Sequence, residues 1–340
     1  MRPHGQLGSR VASLRRGARR RVANTGKHRY STRSAEPPMS LAIEPSRSLK
    51  QAGFRGSVDH AASLAGLTTW RIGGPAEVLA TPADREDLRI ALAWAAANGI
   101  PWRMLGNGSN LLVRDEGVRG LVLRVRRVLD DVTIDGTRIV AGAGASFPMI
   151  ARAAARAGLA GLEFGAGIPG TIGGAVVMNA GWHEYEIGAS IESVDYLDDA
   201  GNEQCITTDE TTYGYRRSIF RERRGVVLGA TLKLARGDAE EIRRRMDGFA
   251  ESRKRNQPTE LASCGSVFLK PDGDFAGRLI EEAGLKGTRR GAIEVSRKHA
   301  NFFVNSGGGT AADALALVET VEAEVERRFA VRLIREFELW

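Results

Sequence analysis

Ala166-Gly167-Ile168-Pro169-Gly170-Thr171-Ile172-Gly173-Gly174-Ala175, continuing to Met178-Asn179-Ala180-Gly181, is the stretch on which the fold is decided. Pro169 stiffens a loop that Gly167 and Gly170 allow to close on a ligand, while Gly173 and Gly174 permit tight packing where the chain turns. A second cluster lies upstream, Leu105-Gly106-Asn107-Gly108-Ser109-Asn110-Leu111-Leu112-Val113. Its glycines admit positive φ, so successive N–H groups can turn toward one anion, and Ser109 and Asn110 add side-chain donors. Either cluster alone reads equally well as a tight turn. Two of them in one lobe, each with polar donors, point to a cradle for a diphosphate. A Rossmann fingerprint, G-x-G-x-x-G, begins at Gly142 and Gly144, but Phe147 stands at its third position, which disfavours that fold.

Around these loops the chain alternates helix and strand signals. Thr81-Pro82 ahead of ADREDLRIALAWAAANG predicts a helix capped by Thr81 and ended by Gly99, and residues 148–158 predict another ended by Gly158. GLVLRV at 120–125, RIVAGA at 138–143, SIESVDYLDD and GVVLGATLKLA read as strands. This is an α+β pattern, with a lobe over about 60–236 that divides near residue 124. DAEEIRRRMDGFAESRKR opens a second α+β lobe, 237–330, as a charged helical connector. That lobe holds the helix GDFAGRLIEEAG, the strand HANFFVN and a long helix over TAADALALVETVEAEVERRF, where Thr310 and Asp313 form a capping box. Residues 331–340, ending VRLIREFELW, alternate like a strand.

Composition narrows the function class. The chain of 340 residues is 42% hydrophobic and 26% charged, with no apolar run long enough to cross a bilayer. Its formal charge of +8 is misplaced as a clue, because residues 1–38 carry ten Lys or Arg and one acid, leaving the body near neutral. That segment reads as part of a disordered, dispensable extension over residues 1–50. The competing readings are an arm for nucleic acid or anionic lipid, a transit peptide, and sequence upstream of a start at Met39. Cys205 and Cys264, far apart, support neither a disulfide framework nor a metal site, which fits a reducing cytoplasm.

Three polar motifs lie outside the glycine loops: Tyr213-Gly214-Tyr215-Arg216-Arg217-Ser218-Ile219-Phe220, Cys264-Gly265-Ser266-Val267-Phe268 and Leu333-Ile334-Arg335-Glu336-Phe337-Glu338. On spacing alone Arg216 is one of several neighbouring arginines and Ser266 is a turn serine. Glu336 and Glu338 share a strand face, so the pattern does not choose between them. His299 reads as a structural histidine and Cys264 as a packing residue.

Taken in order, TTWRIGGPAEV at 68–78, LGNGSNLLV, AGIPGTIGGAVVMNAG and these three motifs resemble the UDP-N-acetylenolpyruvoylglucosamine reductases, over nearly all of residues 60–340. These are flavoproteins that hold FAD between two small α+β subdomains, followed by a C-terminal α+β substrate-binding domain. The short stretch after Ser266 matches their shorter-loop subgroup. The resemblance implies FAD on Arg71, Ile72, Gly73, Gly106, Asn107, Gly108, Ser109, Asn110, Gly167, Ile168, Pro169, Gly170, Thr171, Gly173 and Gly174. It implies catalytic roles for Arg216, Ser266 and Glu336, with residues 331–340 bringing Glu336 to the site. NADPH would reduce the flavin, which would reduce a UDP-sugar enolpyruvyl ether to UDP-N-acetylmuramate. Tyr215, Lys298 and Asn301 are expected at the substrate; no metal, membrane or obligate nucleic acid is implied, and the enzyme is expected to be a monomer.

The chain departs from the family pattern at Leu269-Lys270-Pro271 and at Trp182-His183-Glu184. A flavin oxidase of the same fold is the rival enzyme, though no His or Cys in either loop could tether a flavin. A nucleic-acid-binding protein recruited by its basic arm is the other rival. Deleting residues 1–38 is expected to leave turnover unchanged, as steady-state rates of the truncated and full chains would show.

Overall fold

A computed structural model describes residues 45–340; the expected extension lies outside the described residues except at its end. There the expectation of disorder to residue 50 is corrected. Pro45–Gln51 is a helix whose Leu49 is fully buried, because an apolar side chain at that point can seal the core beside Phe54 and Trp94.

Three sheets organise the rest. The first runs Ser57–Ser63, Pro75–Thr81, Val118–Arg124, Trp102–Leu105, with the first pair antiparallel and the other two parallel. The second is antiparallel throughout, in the order Glu203–Thr207, Ile191–Asp198, Gly225–Lys233, Arg138–Gly142, Val132–Asp135. The third is small and antiparallel, with Ile293–Val295 between Arg289–Arg290 and Phe303–Asn305. The α+β class is therefore observed.

The parallel strands need a crossover, and Arg85–Ala97 provides it, burying Leu88, Ala91, Trp94 and Ala95. Thr81 is not its cap, because it is the last residue of a strand and pairs with Ser57. Asp84 caps the helix instead, accepting from the Asp87 amide at 2.9 Å. The connector helix, Ala239–Asn256, and the long helix, Ala311–Phe329, form as their patterns predict, the latter with its capping box at Thr310 and Asp313.

The third sheet and its helices share a core with the first lobe. Trp70, Ile72 and Leu112 bury themselves among Phe268, Phe303, Val318 and Phe337, and Trp70 meets Phe337 edge-to-face at 5.8 Å. Polar contacts fix the same junction. Asp115, in the turn before Val118–Arg124, accepts from the amides of Ala311 and Ala312 at 2.8 and 2.9 Å. It thereby satisfies two of the unpaired donors opening the long helix. Asn305 donates to the Trp70 carbonyl at 3.0 Å.

The carboxyl-terminal segment is less regular than its alternation suggests. Only Glu338–Leu339 is strand, parallel to Leu111–Leu112, with one isolated bridge between Arg335 and Phe268. The alternation survives because the segment is hydrogen-bonded first to one lobe and then to the other. Replacing Asp115 by Ala is expected to cost about 1–2 kcal/mol, as typical for a helix cap with a favourable dipole contact, measurable by thermal or denaturant unfolding.

Candidate active site

A cavity of about 1120 Å³ opens between the lobes, at or above the upper end of the roughly 300–1000 Å³ usual for ligand sites. One wall is the first glycine loop. Gly108 has φ +59°, and a Cβ there would stand 2.4 Å from the Leu67 carbonyl oxygen, so only glycine fits. Among the described residues, no backbone amide of residues 106–110 donates to a protein group, nor do those of Gly170 and Thr171 in the facing loop. A Cβ at Gly170 or Gly174 would meet nothing closer than 3.6 or 3.7 Å, so bare backbone is presented to the space. Unpaired N–H groups along a concave wall are what an anionic dinucleotide needs.

A half-buried cation completes this wall. The Arg253 side chain passes so close over Gly167 that a Cβ would lie 2.6 Å from its Cδ, and its guanidinium stacks on Trp182 at 5.5 Å. Burial depresses its pKa, and among the described residues no carboxylate pairs with it. A half-buried guanidinium with no counter-charge among the described residues attracts anionic groups. The sequence hid it among the charges of the connector helix. Trp182, noted only as a departure from the family pattern, is the aromatic platform that holds it, itself backed by Phe249 at 5.5 Å.

The three expected catalytic residues meet on this cavity. Tyr213–Gly214 and Arg217–Ser218 form a hairpin closed by Tyr215 and Arg216, which puts Arg216 at φ +52°. Its Nε donates to Glu336 Oε1 at 3.1 Å, its Nη1 to Glu186 Oε1 at 2.8 Å, and its Nη2 to the Gly181 carbonyl at 2.7 Å. Ser266 follows Gly265, whose φ of +84° turns the chain, and among the described residues its hydroxyl has no hydrogen-bond partner. Glu336 is tied to its neighbour, donating from its amide to the Val267 carbonyl at 2.8 Å. Burial pushes the Glu336 carboxyl above its ordinary range, opposed by Arg216 and Arg221. Glu338 also lines the cavity, as the shared strand face implies, but it pairs with Arg221.

Several expected contacts fall elsewhere. Asn301 is corrected to a structural residue: it is buried, its side chain accepts from the Phe268 amide at 3.0 Å and donates to the Phe268 carbonyl at 2.8 Å. Lys298 does not line the cavity; its Nζ donates to the Lys254 carbonyl at 2.6 Å. Tyr215 is exposed outside the cavity, with the Arg216 guanidinium 5.2 Å from its ring centre.

Among the expected cofactor residues, Ile72 is core, Gly73 turns beside Val113, and Gly173 packs against Ala143, where a Cβ would lie 2.9 Å from another. These three do not line the cavity; Arg71, Gly106, Asn107, Gly108, Ser109, Asn110, Gly167, Ile168, Pro169, Gly170, Thr171 and Gly174 do. Asn110 has a second task, donating from Nδ2 to the Glu336 carbonyl at 3.1 Å. Lys270 lies over Phe275 and not in the cavity. His299 accepts from the Asn301 amide at 3.2 Å, and burial lowers its pKa, as fits a structural histidine.

Comparison with known proteins shows the family. A family profile described as "FAD binding domain" matches residues 76–205, and one described as "UDP-N-acetylenolpyruvoylglucosamine reductase, C-terminal domain" matches residues 257–340. The UDP-N-acetylenolpyruvoylglucosamine reductase of Heliobacterium modesticaldum is 45% identical over 273 residues, 80% of this chain and 87% of that one. The enzyme of the same name from Rubrobacter xylanophilus is 48% identical over 267 residues, 78% and 89% of the two chains. Among solved structures, the UDP-N-acetylenolpyruvylglucosamine reductase of Thermus caldophilus superposes with a TM-score of 0.71 at 40% identity, covering 84% of this chain and 99% of that one. With glycine loops, carboxyl-terminal lobe and full-length relatives in agreement, the chain belongs to the UDP-N-acetylenolpyruvoylglucosamine reductase family.

Proposed function

We propose that Arg216, Ser266 and Glu336 carry the reduction of UDP-N-acetylglucosamine enolpyruvate to UDP-N-acetylmuramate, the FAD- and NADPH-dependent reaction of this family. The observation that carries the reading is the meeting of an anchored guanidinium, an unpartnered hydroxyl and a buried carboxyl on the cavity that also presents unpaired amides. The oxidase reading is the weaker one, since the curated relatives spanning most of the chain are named reductases.

The amides of residues 106–110, with Gly170, Thr171 and Arg253, would hold FAD through its diphosphate and ring edges. When bound, FAD supplies a hydride, taken from NADPH, to the terminal vinyl carbon of the enolpyruvyl ether. That addition leaves an electron pair on the neighbouring carbon, delocalised into the carboxylate. Arg216 sets fixed, always-charged donors against this developing anion, an interaction worth several kcal/mol where water is excluded. The Ser266 hydroxyl gives its proton to that carbon, forming the C–H bond of the lactyl ether. Glu336 orients Arg216 and supports the proton transfer. Both cysteines are free, and we place the enzyme in the cytoplasm, as a monomer in cell-wall precursor synthesis.

Ser266→Ala should let NADPH reduce the bound flavin at the normal rate and slow transfer to the UDP-sugar by about 10²–10⁴-fold, as expected for loss of a general acid. Stopped-flow traces of the two half-reactions check this, and equal slowing of both would refute the proton-donor role. Arg253→Met should weaken flavin retention by roughly tenfold or more, the scale of one lost charge-assisted contact. Titration of the flavin-free protein with FAD reads the change directly.

A further inference from the structure

Arg216 is gripped by a second carboxylate that the reduction does not require as a reactant. Glu186 Oε1 accepts from Arg216 Nη1 at 2.8 Å and also from its backbone amide at 3.3 Å. The other oxygen of Glu186 accepts from Asn179 Nδ2 at 2.7 Å. Asn179 is 2% exposed and sits at φ +45°, capping the helix Ile172–Met178 that follows the second glycine loop. Three of its four side-chain hydrogen-bonding positions are used: Nδ2 also donates to the Gly214 carbonyl at 2.9 Å, and Oδ1 accepts from the Gly188 amide at 3.0 Å. Its carbonyl takes a further long contact from Arg216 Nη1 at 3.4 Å. The cradle helix, the hairpin bearing Arg216 and the Glu186 segment are therefore locked through one buried amide.

The guanidinium offers five N–H donors. Glu336, Glu186 and the carbonyls of Asn179 and Gly181 engage four, leaving one on Nη2. One cation is thus divided between two carboxylates, each poorly exposed, with side chains 17% exposed for Glu336 and 20% for Glu186. We propose that Glu186, held by Asn179, is a positioning residue for the reduction: it fixes Arg216 in the cavity wall and takes up part of its charge, leaving Glu336 incompletely neutralised.

The titration of Glu336 follows in direction. Burial pushes it up most, Arg216 and Arg221 pull it down, and Glu186 pushes it up again; Tyr215 and Cys264 are the other titratable groups that feel its charge. A raised carboxyl keeps its proton to higher pH. Removing the charge of Glu186 deletes one upward push and hands the whole of Arg216 to Glu336, so its proton is lost at lower pH.

This rests on the proposed roles of Arg216 and Glu336, and the test separates the two. Holoenzymes carrying Glu186→Gln, Glu186→Asp and Glu336→Gln are compared by kcat/KM for the UDP-sugar against pH, by flavin absorbance and by Tm. Glu336→Gln should abolish the acid limb of the profile. Glu186→Gln should move that limb down by about one pH unit, the usual scale for one nearby charge, with bound flavin, NADPH-driven flavin reduction and Tm at the parental values. Glu186→Asp keeps the charge but shortens the reach, so the limb stays in place while kcat falls roughly tenfold, the cost of slight misplacement. An unmoved limb in Glu186→Gln, with Glu336→Gln still abolishing it, overturns this inference alone. Loss of flavin or an early melt in both Glu186 variants would make Glu186 a fold residue and overturn it as well. A wild-type profile in Glu336→Gln brings down the reading of the site together with it.

Discussion

Glu336 reaches the cavity because its backbone is held from two sides. Its amide donates to the Val267 carbonyl in the carboxyl-terminal lobe, and its carbonyl accepts from Asn110 in the first glycine loop. Two residues on, the Glu338 amide donates to the Asn110 carbonyl, and Glu338–Leu339 adds a parallel strand to Leu111–Leu112. The same few groups therefore couple the first glycine loop, the serine turn and the carboxylate. A shift of either lobe would have to break these part-buried hydrogen bonds, each costly to leave unmade. This is how residues 266 and 336, far apart in the chain, keep one geometry, which Arg216 joins through its Nε bond to Glu336 Oε1 at 3.1 Å.

Much of this was legible in the sequence, for identifiable reasons. Glycine spacing reports backbone requirements directly, so both loops were found and their exposed amides are where the pattern put them. Cap and period signals are local, which is why Thr310 and Asp313 were read correctly at the start of the long helix. Misreadings arose where a side chain's role depends on what folds against it. Asn301 looks like a polar residue free for a ligand, yet both ends of its amide serve the Phe268 peptide groups. Gly173 carries the same signature as Gly170 but faces Ala143 instead of the cavity. Thr81 has cap chemistry, but the preceding strand runs through it and leaves the role to Asp84. Arg253 and Glu186 carry no local signal, and Asn179, though within the quoted glycine stretch, shows no sign there of what it binds, since charge partners and stacking platforms are tertiary facts.

The electrostatics of the site turn on how unevenly counter-charges are shared between its two arginines. Arg253 has a half-buried guanidinium stacked on Trp182 with no carboxylate partner among the described residues, whereas Arg216 has two carboxylates for one charge. A half-buried pair of this kind contributes little net stability, because desolvation offsets most of the attraction. Its value lies in fixed orientation, since a guanidinium engaged through Nε, Nη1 and Nη2 has no freedom left to reorient when charge develops on a substrate.

Cys264 lines the same cavity two residues before Ser266, yet it is 3% exposed, and burial together with the nearby Glu336 charge drives its thiol pKa upward. The sulfur is held as a neutral thiol, and neutral thiols are poor targets for peroxides and alkylating agents. The chain thus keeps the one thiol that lines this cavity among the described residues chemically quiet. The exposed sulfur of Cys205, on a strand of the second sheet, is where electrophiles would react first.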